Sequence, residues 1–207
     1  MTDMVALSLF IPTFFFVSIT PGLCMTLALT MGMTFGIRTT LWMMTGELLG
    51  VGLVAAAAVL GVAALVVKYP DIFIFIKYIG GGYLAFIGVQ MWMSKGRMAI
   101  DLETQMPTRP NRIELAVQGF VTAISNPKAW AFMISLLPPF INMDQLIAPQ
   151  LGAMVALILA MEFACMLIYA LGGKTLRVFL QNTGNVRLLN RIAGTLMIGV
   201  GGWLAFL

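Results

Sequence analysis

Six long apolar stretches dominate the chain, and their length is the property that most restricts its fold. A helix needs roughly 17 to 25 residues to cross a hydrocarbon core of about 30 Å. Hydrophobic residues make up 60% of the 207 residues and charged residues only 10%, an apolar excess that a soluble domain does not need. The sequence therefore predicts an all-α membrane protein, with 1–207 forming one integral membrane domain of six transmembrane helices. These helices are predicted near 4–29, 41–67, 72–93, 114–137, 146–171 and 188–207.

The basic residues predict the orientation of these helices. Nine of the 12 Lys and Arg residues lie in or beside the odd-numbered loops and two in the even-numbered loops, whereas Lys128 lies inside a predicted helix. Loops that stay in the cytoplasm are rich in Lys and Arg. Both termini are therefore predicted to lie outside. The net charge of +4 reflects this topology and contact with the lipid bilayer, and no nucleic-acid binding is expected.

The polar stretch 94–113 divides the chain into two similar halves, 1–93 and 114–207, and is typical of a cytoplasmic linker. Each half has three predicted helices, with a proline break in the first, an acidic residue in the second and a glycine-rich third. Because three is odd, a duplicated unit must insert the opposite way round in its second copy, which predicts two inverted three-helix repeats. Chance similarity between glycine-rich apolar helices is the alternative. The third helices align Gly81 with Gly194 and Gly88 with Gly201.

Two proline breaks lie inside apolar stretches, at Thr20-Pro21-Gly22 and at Asn126-Pro127. A polar cap residue followed by proline is typical of a helix start. Inside a bilayer, such a start is tolerated where protein or a water-filled cavity satisfies the freed backbone groups. A pair of breaks in corresponding positions of two halves indicates a transporter's binding site. A simple kink, relieved by a neighbouring hydroxyl or water, is the other interpretation.

Three ionisable residues, Glu47, Lys128 and Glu162, lie inside predicted helices. Each costs about 2.5 to 3.5 kcal/mol at the centre of a helix, so a functional role is the default hypothesis. Two acids and one base leave one negative charge for a proton, a cation or a substrate's ammonium group, and the N-terminus of a half-helix favours a carboxylate. Together with Asn126, these residues are predicted to bind a zwitterionic substrate or to couple protons. A static ion pair, or interfacial water for Glu47, is the structural alternative.

Several chemistries are not expected. The sequence has no histidine, so it lacks a Ser-His or Cys-His pair, and an enzyme is not predicted. Cys24 and Cys165 lack metal or redox spacing and are predicted to be packing residues, with no cofactor and no metal. The glycines at 46–50 and the cluster of Gly199, Gly201 and Gly202 favour close helix packing, including a homodimer face.

Five features of the chain occur together: Pro21-Gly22, Gly46-Glu47, Asn126-Pro127-Lys128-Ala129, Glu162 and a glycine-rich last helix. Together they resemble the LysE/RhtB family of amino-acid exporters over the full chain. The resemblance implies a multi-pass carrier of the bacterial inner membrane that exports amino acids or close derivatives, driven by the proton gradient. Family members usually have Pro-Gly-Pro followed by Asn where this chain has Pro21-Gly22-Leu23-Cys24, and often Asp where it has Glu47.

The predicted function is a secondary active exporter of a neutral or apolar amino acid, coupled to protons, with alternating access at the repeat interface. Its expected partners are the amino acid, protons and the bilayer. Two alternatives stay open at this point. One is an ion or proton channel on the same inverted repeat, and the other is a non-transporting membrane subunit or an intramembrane enzyme of unfamiliar chemistry.

Overall fold

The computed structural model describes residues 4–68, 72–95, 111–137 and 145–206, and these form eight helices. Residues 96–110 of the predicted linker lie outside the described residues. The helices are α1 (Met4–Ile19), α2 (Leu23–Phe35), α3 (Ile37–Lys68), α4 (Ile72–Met93), α5 (Arg112–Ile124), α6 (Pro127–Leu136), α7 (Ile147–Gln181) and α8 (Thr183–Phe206).

Two stretches of the described residues, Ile37–Gly61 in α3 and Ile147–Gly173 in α7, are long and apolar enough to cross a membrane. Phe10–Ile19 and Leu23–Phe35 meet the same test together, as a single span bent by 54°. These stretches overlap the second, fifth and first predicted transmembrane helices. The total of six spans and the outside position of the termini stay predictions.

Two glycines with positive φ mark turns that the predicted segments did not include. Gly36, with φ of 76°, separates α2 from α3, so that α3 begins before its predicted start at 41. Gly173, with φ of 48°, bends α7, which continues past its predicted end at 171. Glycine adopts positive φ without the Cβ clash that other residues meet. Both helices therefore extend further toward the basic loops than the apolar pattern indicates.

The chain leaves the helical conformation between α1 and α2 and again between α5 and α6. At the second break, Asn126 is the N-cap residue of α6 and Pro127 follows it in the first turn. The Asn126 side chain accepts a hydrogen bond of 3.1 Å from the Lys128 amide. This is the usual arrangement of a capped helix start, with proline where no N–H is needed.

The predicted cap at Thr20 is wrong. The N-cap residue of α2 is Gly22, which has no side chain to cap the helix, and Pro21 precedes it. The Thr20 hydroxyl instead donates to the Phe16 carbonyl, at 2.5 Å. A threonine hydroxyl at a helix end has both choices, and here the carbonyl one turn earlier takes it. As a result, the first turn of α2 has no side-chain cap.

Glycines bring the backbones of α3 and α5 into contact. A Cβ atom on Gly46 would collide with the carbonyl of Ala116, and one on Gly119 would collide with the carbonyl of Met43. Without a hydrophobic driving force in lipid, close packing of this kind is what small residues permit. The contact holds α5, and the break that follows it, against the first half of α3.

Glycines also line the contact between α4 and α8. Gly88 lies against the Gly194 carbonyl and Gly194 against the Gly88 carbonyl, while Gly201 lies against the Gly81 carbonyl. Because the sequence aligns Gly81 with Gly194 and Gly88 with Gly201, the contact of Gly81 with Gly201 corresponds to that of Gly194 with Gly88. The same glycine contact thus occurs twice along this helix pair.

Replacing Gly201 with valine is expected to lower the free energy of unfolding by about 1–3 kcal/mol, the usual cost of overpacking. A Cβ atom there would lie 2.5 Å from the Gly81 carbonyl oxygen and 3.1 Å from the Ala85 nitrogen. Gly199→Val is the matched control, because a Cβ atom at Gly199 meets nothing within 4 Å. Thermal unfolding of both variants in the same detergent checks this, and equal midpoints would contradict it.

Candidate functional site

A layer of polar groups separates two clusters of buried apolar side chains. This layer contains Glu47 on α3, Glu162 on α7 and the break between α1 and α2. Along the chain, each of them lies between residues of the first cluster and residues of the second. Polar groups buried this deeply in an apolar protein are costly unless they are paired or functional. The flanking cluster residues are Met44 and Val51 on α3, Ile158 and Cys165 on α7, and Val17 and Met25 on either side of the break.

A cavity of about 70 Å³ opens within this layer, beside both helix breaks. It has room for several water molecules or part of a small solute. Its polar lining consists of Ser18, Thr20, Cys24, Glu47, Asn126, Lys128 and Glu162. Its apolar lining includes Phe14, Val17, Val51, Phe132 and Met133.

Glu47 is the polar group whose bonding is incomplete. Its side chain is 0% exposed, and neither carboxylate oxygen has a hydrogen-bond partner among the described residues. The Cys24 thiol and the Glu162 carboxyl line the same cavity and are neighbours of the Glu47 carboxyl. A buried carboxylate in this condition needs a proton or a cation to offset its desolvation.

Glu162 is better satisfied. It is 9% exposed, and its Oε2 accepts a hydrogen bond of 2.6 Å from the Ser18 hydroxyl. Ser18 comes from the last turn of α1, so the bond joins the end of that helix to α7. The two glutamates of the cavity therefore differ in their surroundings, since a hydroxyl group holds Glu162 in place and no described hydroxyl group does so for Glu47.

Two side chains bind the carbonyl groups that the first break leaves free. The Lys128 ammonium donates to the Val17 carbonyl at 2.7 Å. The Tyr169 hydroxyl donates to the Ile19 carbonyl, also at 2.7 Å. The last four carbonyls of a helix have no partner within it, so each needs a donor from elsewhere. In the described part of the chain, Lys128 makes no ion pair with either glutamate of the cavity.

The two half-helices that begin at the breaks differ in how their N-termini are capped. The Asn126 side chain occupies the N-terminus of α6, and its amide nitrogen points at the Cys24 sulfur, 3.9 Å away. The N-terminus of α2 has no side-chain cap, and Leu23, Cys24 and Met25 of its first turn line the cavity. Uncapped amides and the helix dipole favour an anion at that position.

A metal site is a separate question. Within the described ranges, no group of three or more His, Cys, Asp or Glu side chains is placed to hold a metal ion. The polar side chains of the cavity carry two carboxyls, two hydroxyls, one thiol, one amide and one ammonium group. This set suits an organic ligand that has both charges.

Comparison with known proteins decides the family. A model of the LysE type translocator family matches residues 15–207. The chain belongs to the LysE type translocators. Members of this family are transporters and not enzymes, so the predicted family and the absence of enzymatic function are confirmed.

Three relatives are similar to this translocator. The homoserine/homoserine lactone efflux protein of Salmonella typhimurium is 27% identical over 91% of this chain and 90% of its own. The uncharacterized membrane protein YrhP of Bacillus subtilis is 25% identical over 93% and 94%. The leucine efflux protein of an Enterobacter species is 28% identical over 63% and 61%. No solved structure matches the chain.

In this LysE type translocator, the four predicted site residues Glu47, Asn126, Lys128 and Glu162 line one cavity. Thr20 and Gly22 of the first break line it too, and Pro21 lies between them; Pro127 lies between Asn126 and Lys128 at the second break. Lys128 is one of the residues predicted to bind a zwitterionic substrate or to couple protons. Its ammonium group already donates a hydrogen bond to the Val17 carbonyl.

Sequence reasoning missed three residues of the translocator's cavity region. Cys24 was predicted to be a packing residue, but it lines the cavity, whereas Cys165 is fully buried in an apolar cluster. Neither Ser18 nor Tyr169 is among the residues that the sequence predicts for the site. A signal existed for both, since Ser18 precedes the first break by two positions and Tyr169 follows Glu162 by seven, which places it on the same face of α7 two turns later.

Proposed function

We propose that this LysE type translocator is a secondary active exporter of a neutral, mainly apolar amino acid or a close derivative. The observation that carries the proposal is the fully buried Glu47 carboxylate with no described partner at either oxygen. Such a group is costly unless a proton or a cationic ligand neutralises it. The names of two relatives, for efflux of homoserine or its lactone and of leucine, support a small amino acid.

In the proposed complex, the substrate's ammonium group pairs with Glu47 and its carboxylate meets the amides of the first turn of α2. Both groups line the cavity, and the uncapped N-terminus of α2 favours an anion. The amino and carboxylate groups of an amino acid are attached to the same carbon atom. The protein groups that bind them, Glu47 and the amides of α2, must therefore lie close together. Lys128 positions the end of α1 through the Val17 carbonyl and is not itself the carboxylate ligand.

The apolar lining supports a substrate with an apolar side chain. Phe132 is 2% exposed and lies against Phe14 with ring centroids 5.5 Å apart. Val51 and Met133 line the same cavity. These residues belong to the same apolar cluster as Phe14. Burying a methyl or isobutyl group of the substrate against them would contribute favourable binding free energy.

Replacing Phe132 with leucine is expected to shift substrate preference toward larger side chains by about tenfold, since one methylene in an apolar pocket is worth about 1–3 kcal/mol. The check is to measure ligand affinities for a series of neutral amino acids of increasing size. Phe86→Leu is the matched control, because Phe86 lies on α4 and is 55% exposed, away from the cavity lining. An unchanged order of affinities in Phe132→Leu would contradict the proposed side-chain pocket.

The proposed mechanism is alternating access between two inverted repeats, 1–93 and 114–207. Support comes from the odd number of transmembrane helices predicted in each half and from the glycine contact that occurs twice between α4 and α8, in the way a two-fold axis in the membrane plane requires. We place this multi-pass protein in the bacterial inner membrane, with both termini outside. Gly199 and Gly202 have open space around them and stay available for the predicted homodimer face.

Proton coupling completes the proposal. Glu47 takes a proton when the substrate leaves and loses it when the substrate's ammonium group arrives, so that the cavity never holds an uncompensated charge. Glu162, held by Ser18, is the second acidic group and contributes to the same exchange. Export is then driven by protons that move inward as the amino acid moves outward.

Flux from proteoliposomes tests the function. Vesicles are loaded with leucine, homoserine or alanine, and efflux is followed with and without an imposed pH gradient. Saturable efflux that depends on both the protein and the gradient is expected. Conductance in planar bilayers without saturable amino-acid flux would favour a channel, and binding of no solute by the purified protein would favour a non-transporting subunit.

A further inference from the structure

Tyr169 makes a buried hydrogen bond that has no role in the proposed transport cycle. Its side chain is 1% exposed, and its hydroxyl donates to the carbonyl of Ile19, the last residue of α1. Tyrosines within membrane proteins are usually found at the lipid interface, where the hydroxyl meets water. Here the hydroxyl lies inside the protein, at the level of the helix break.

The bond is one of two in which a side chain of another helix donates to a backbone carbonyl at the end of α1. The Val17 carbonyl accepts from Lys128 on α6, and the Ile19 carbonyl accepts from Tyr169 on α7. Ser18 lies between Val17 and Ile19 in the chain, and its hydroxyl donates to Glu162 in the cavity. The position of Ser18 is therefore set by its two neighbours, each of which is fixed to a different helix of the second half.

Tyr169 and Glu162 belong to the same helix, seven residues apart, so both face α1 from one side of α7. The Tyr169 bond fixes α1 relative to α7 at Ile19, and the Ser18 bond then reaches Glu162 at 2.6 Å. A shift of the α1 end along α7 would lengthen that second bond. The first contact thus controls the second, although Tyr169 is not among the residues that line the cavity.

We propose that Tyr169 is a positioning residue that holds the broken end of α1 against α7 and thereby sets the hydrogen bond between Ser18 and Glu162. The inference rests on the proposed function for its transport readout. It assigns Tyr169 no contact with the substrate. Its hydroxyl acts through the Ile19 carbonyl alone.

Tyr169→Phe is expected to lower the turnover number of efflux about tenfold, the size expected when one buried hydrogen bond is lost, while ligand affinity stays within about twofold. A variant that is only partly folded would lose turnover and binding sites in proportion, which the number of bound ligands per protein reveals. Tyr83→Phe is the control, since Tyr83 is 43% exposed on α4. Turnover equal to that of Tyr83→Phe would overturn the inference.

A double mutant checks the route. If Tyr169 acts through Ser18, then Ser18→Ala alone should also lower turnover about tenfold, and adding Tyr169→Phe to it should lower turnover by less than about twofold more. Independent effects that multiply to about a hundredfold would show that Tyr169 acts by another route and would overturn the proposal.

The rate at which Cys24 is labelled provides a second readout that needs no substrate. A negative result in this experiment therefore contradicts the role of Tyr169 without bearing on the proposed transport function. Cys24 lines the cavity and is 5% exposed, so it is the cysteine to be labelled. The second cysteine, Cys165, is 0% exposed, and the experiment replaces it with alanine in every variant. Release of the α1 end by Tyr169→Phe is expected to raise the rate at which N-ethylmaleimide labels Cys24 about tenfold relative to Tyr83→Phe. Equal labelling rates would refute a positioning role even if no amino acid is transported.

Discussion

Replacing Glu47 with glutamine is expected to lower substrate affinity at least about a hundredfold while leaving the unliganded protein as stable as before. The carboxylate is fully buried with no described partner, so the bound ligand supplies the cation that compensates it. Removing one member of a desolvated charge pair costs about 2–5 kcal/mol of binding, and each 1.4 kcal/mol is tenfold in affinity. The free energy of unfolding without ligand should stay equal or rise, because glutamine has nearly the same shape as the protonated glutamate and needs neither a proton nor a cation to be buried.

One thermal-unfolding series measures both effects. The midpoint is recorded for wild type and Glu47→Gln in the same detergent, without ligand and with saturating amino acid. A ligand that binds the folded state raises the midpoint by an amount set by its concentration relative to Kd. We expect the midpoint without ligand to be equal or higher in the variant, and the increase with ligand to vanish.

Glu114→Gln provides the matched control for this experiment. Glu114 is exposed on the first turn of α5, where its carboxylate accepts from the Asn111 amide, and glutamine supports the same capping-box contact. The control should retain the full ligand response. A ligand response in Glu47→Gln equal to that of the control would exclude Glu47 as the ammonium partner.

Substrate analogues divide the effect between the two ends of the ligand. An analogue without the amino group should bind wild type and Glu47→Gln about equally weakly, because the group that pairs with Glu47 is missing in both cases. An analogue without the carboxylate should still distinguish the two proteins. If the deaminated analogue distinguishes them instead, Glu47 acts on a different part of the substrate.

Local chemistry explains which parts of this structure the sequence predicted. Apolar length and the Asn126-Pro127 start are properties of short segments, so helix positions and the second break follow from them. The Thr20 cap failed because a hydroxyl has two local partners of similar strength and the sequence does not choose between them. Gly173 lies at the end of an apolar run, next to Lys174, and nothing in the pattern separates a bend there from an ordinary glycine of a helix end.

Long-range contacts explain the rest. The sequence predicts that Lys128 is a buried cation. Its acceptor is the carbonyl of Val17, more than a hundred positions away in the chain. Every residue has a backbone carbonyl, so the sequence does not indicate which one accepts the hydrogen bond. The contact of Tyr169 with Ile19 is of the same kind. Two carbonyl groups freed by a break attract donors from distant helices, and only the folded arrangement decides which donors reach them.

Replacing Lys128 with methionine should therefore affect the protein before any substrate binds. Methionine keeps the length of the side chain and removes its donors, so the Val17 carbonyl loses the hydrogen bond of 2.7 Å. A buried carbonyl without a partner costs about 1–3 kcal/mol of folding free energy, and more when the lost donor is charged. We expect a lower unfolding midpoint without ligand and efflux reduced about a hundredfold, because the end of α1 loses the contact with α6 that helps to hold it beside the cavity.

Lys95→Met is the control, since Lys95 is exposed just after α4 and changes the net charge by the same amount. Its unfolding midpoint and efflux should match those of wild type. The opposite pattern in Lys128→Met, an unchanged midpoint without ligand and a lost response to ligand, would mean that the ammonium group leaves Val17 to bind the substrate carboxylate. Glu47→Gln and Lys128→Met thus separate the two roles of the buried charges, since the first removes a ligand contact and the second removes a contact that holds the broken helix in place.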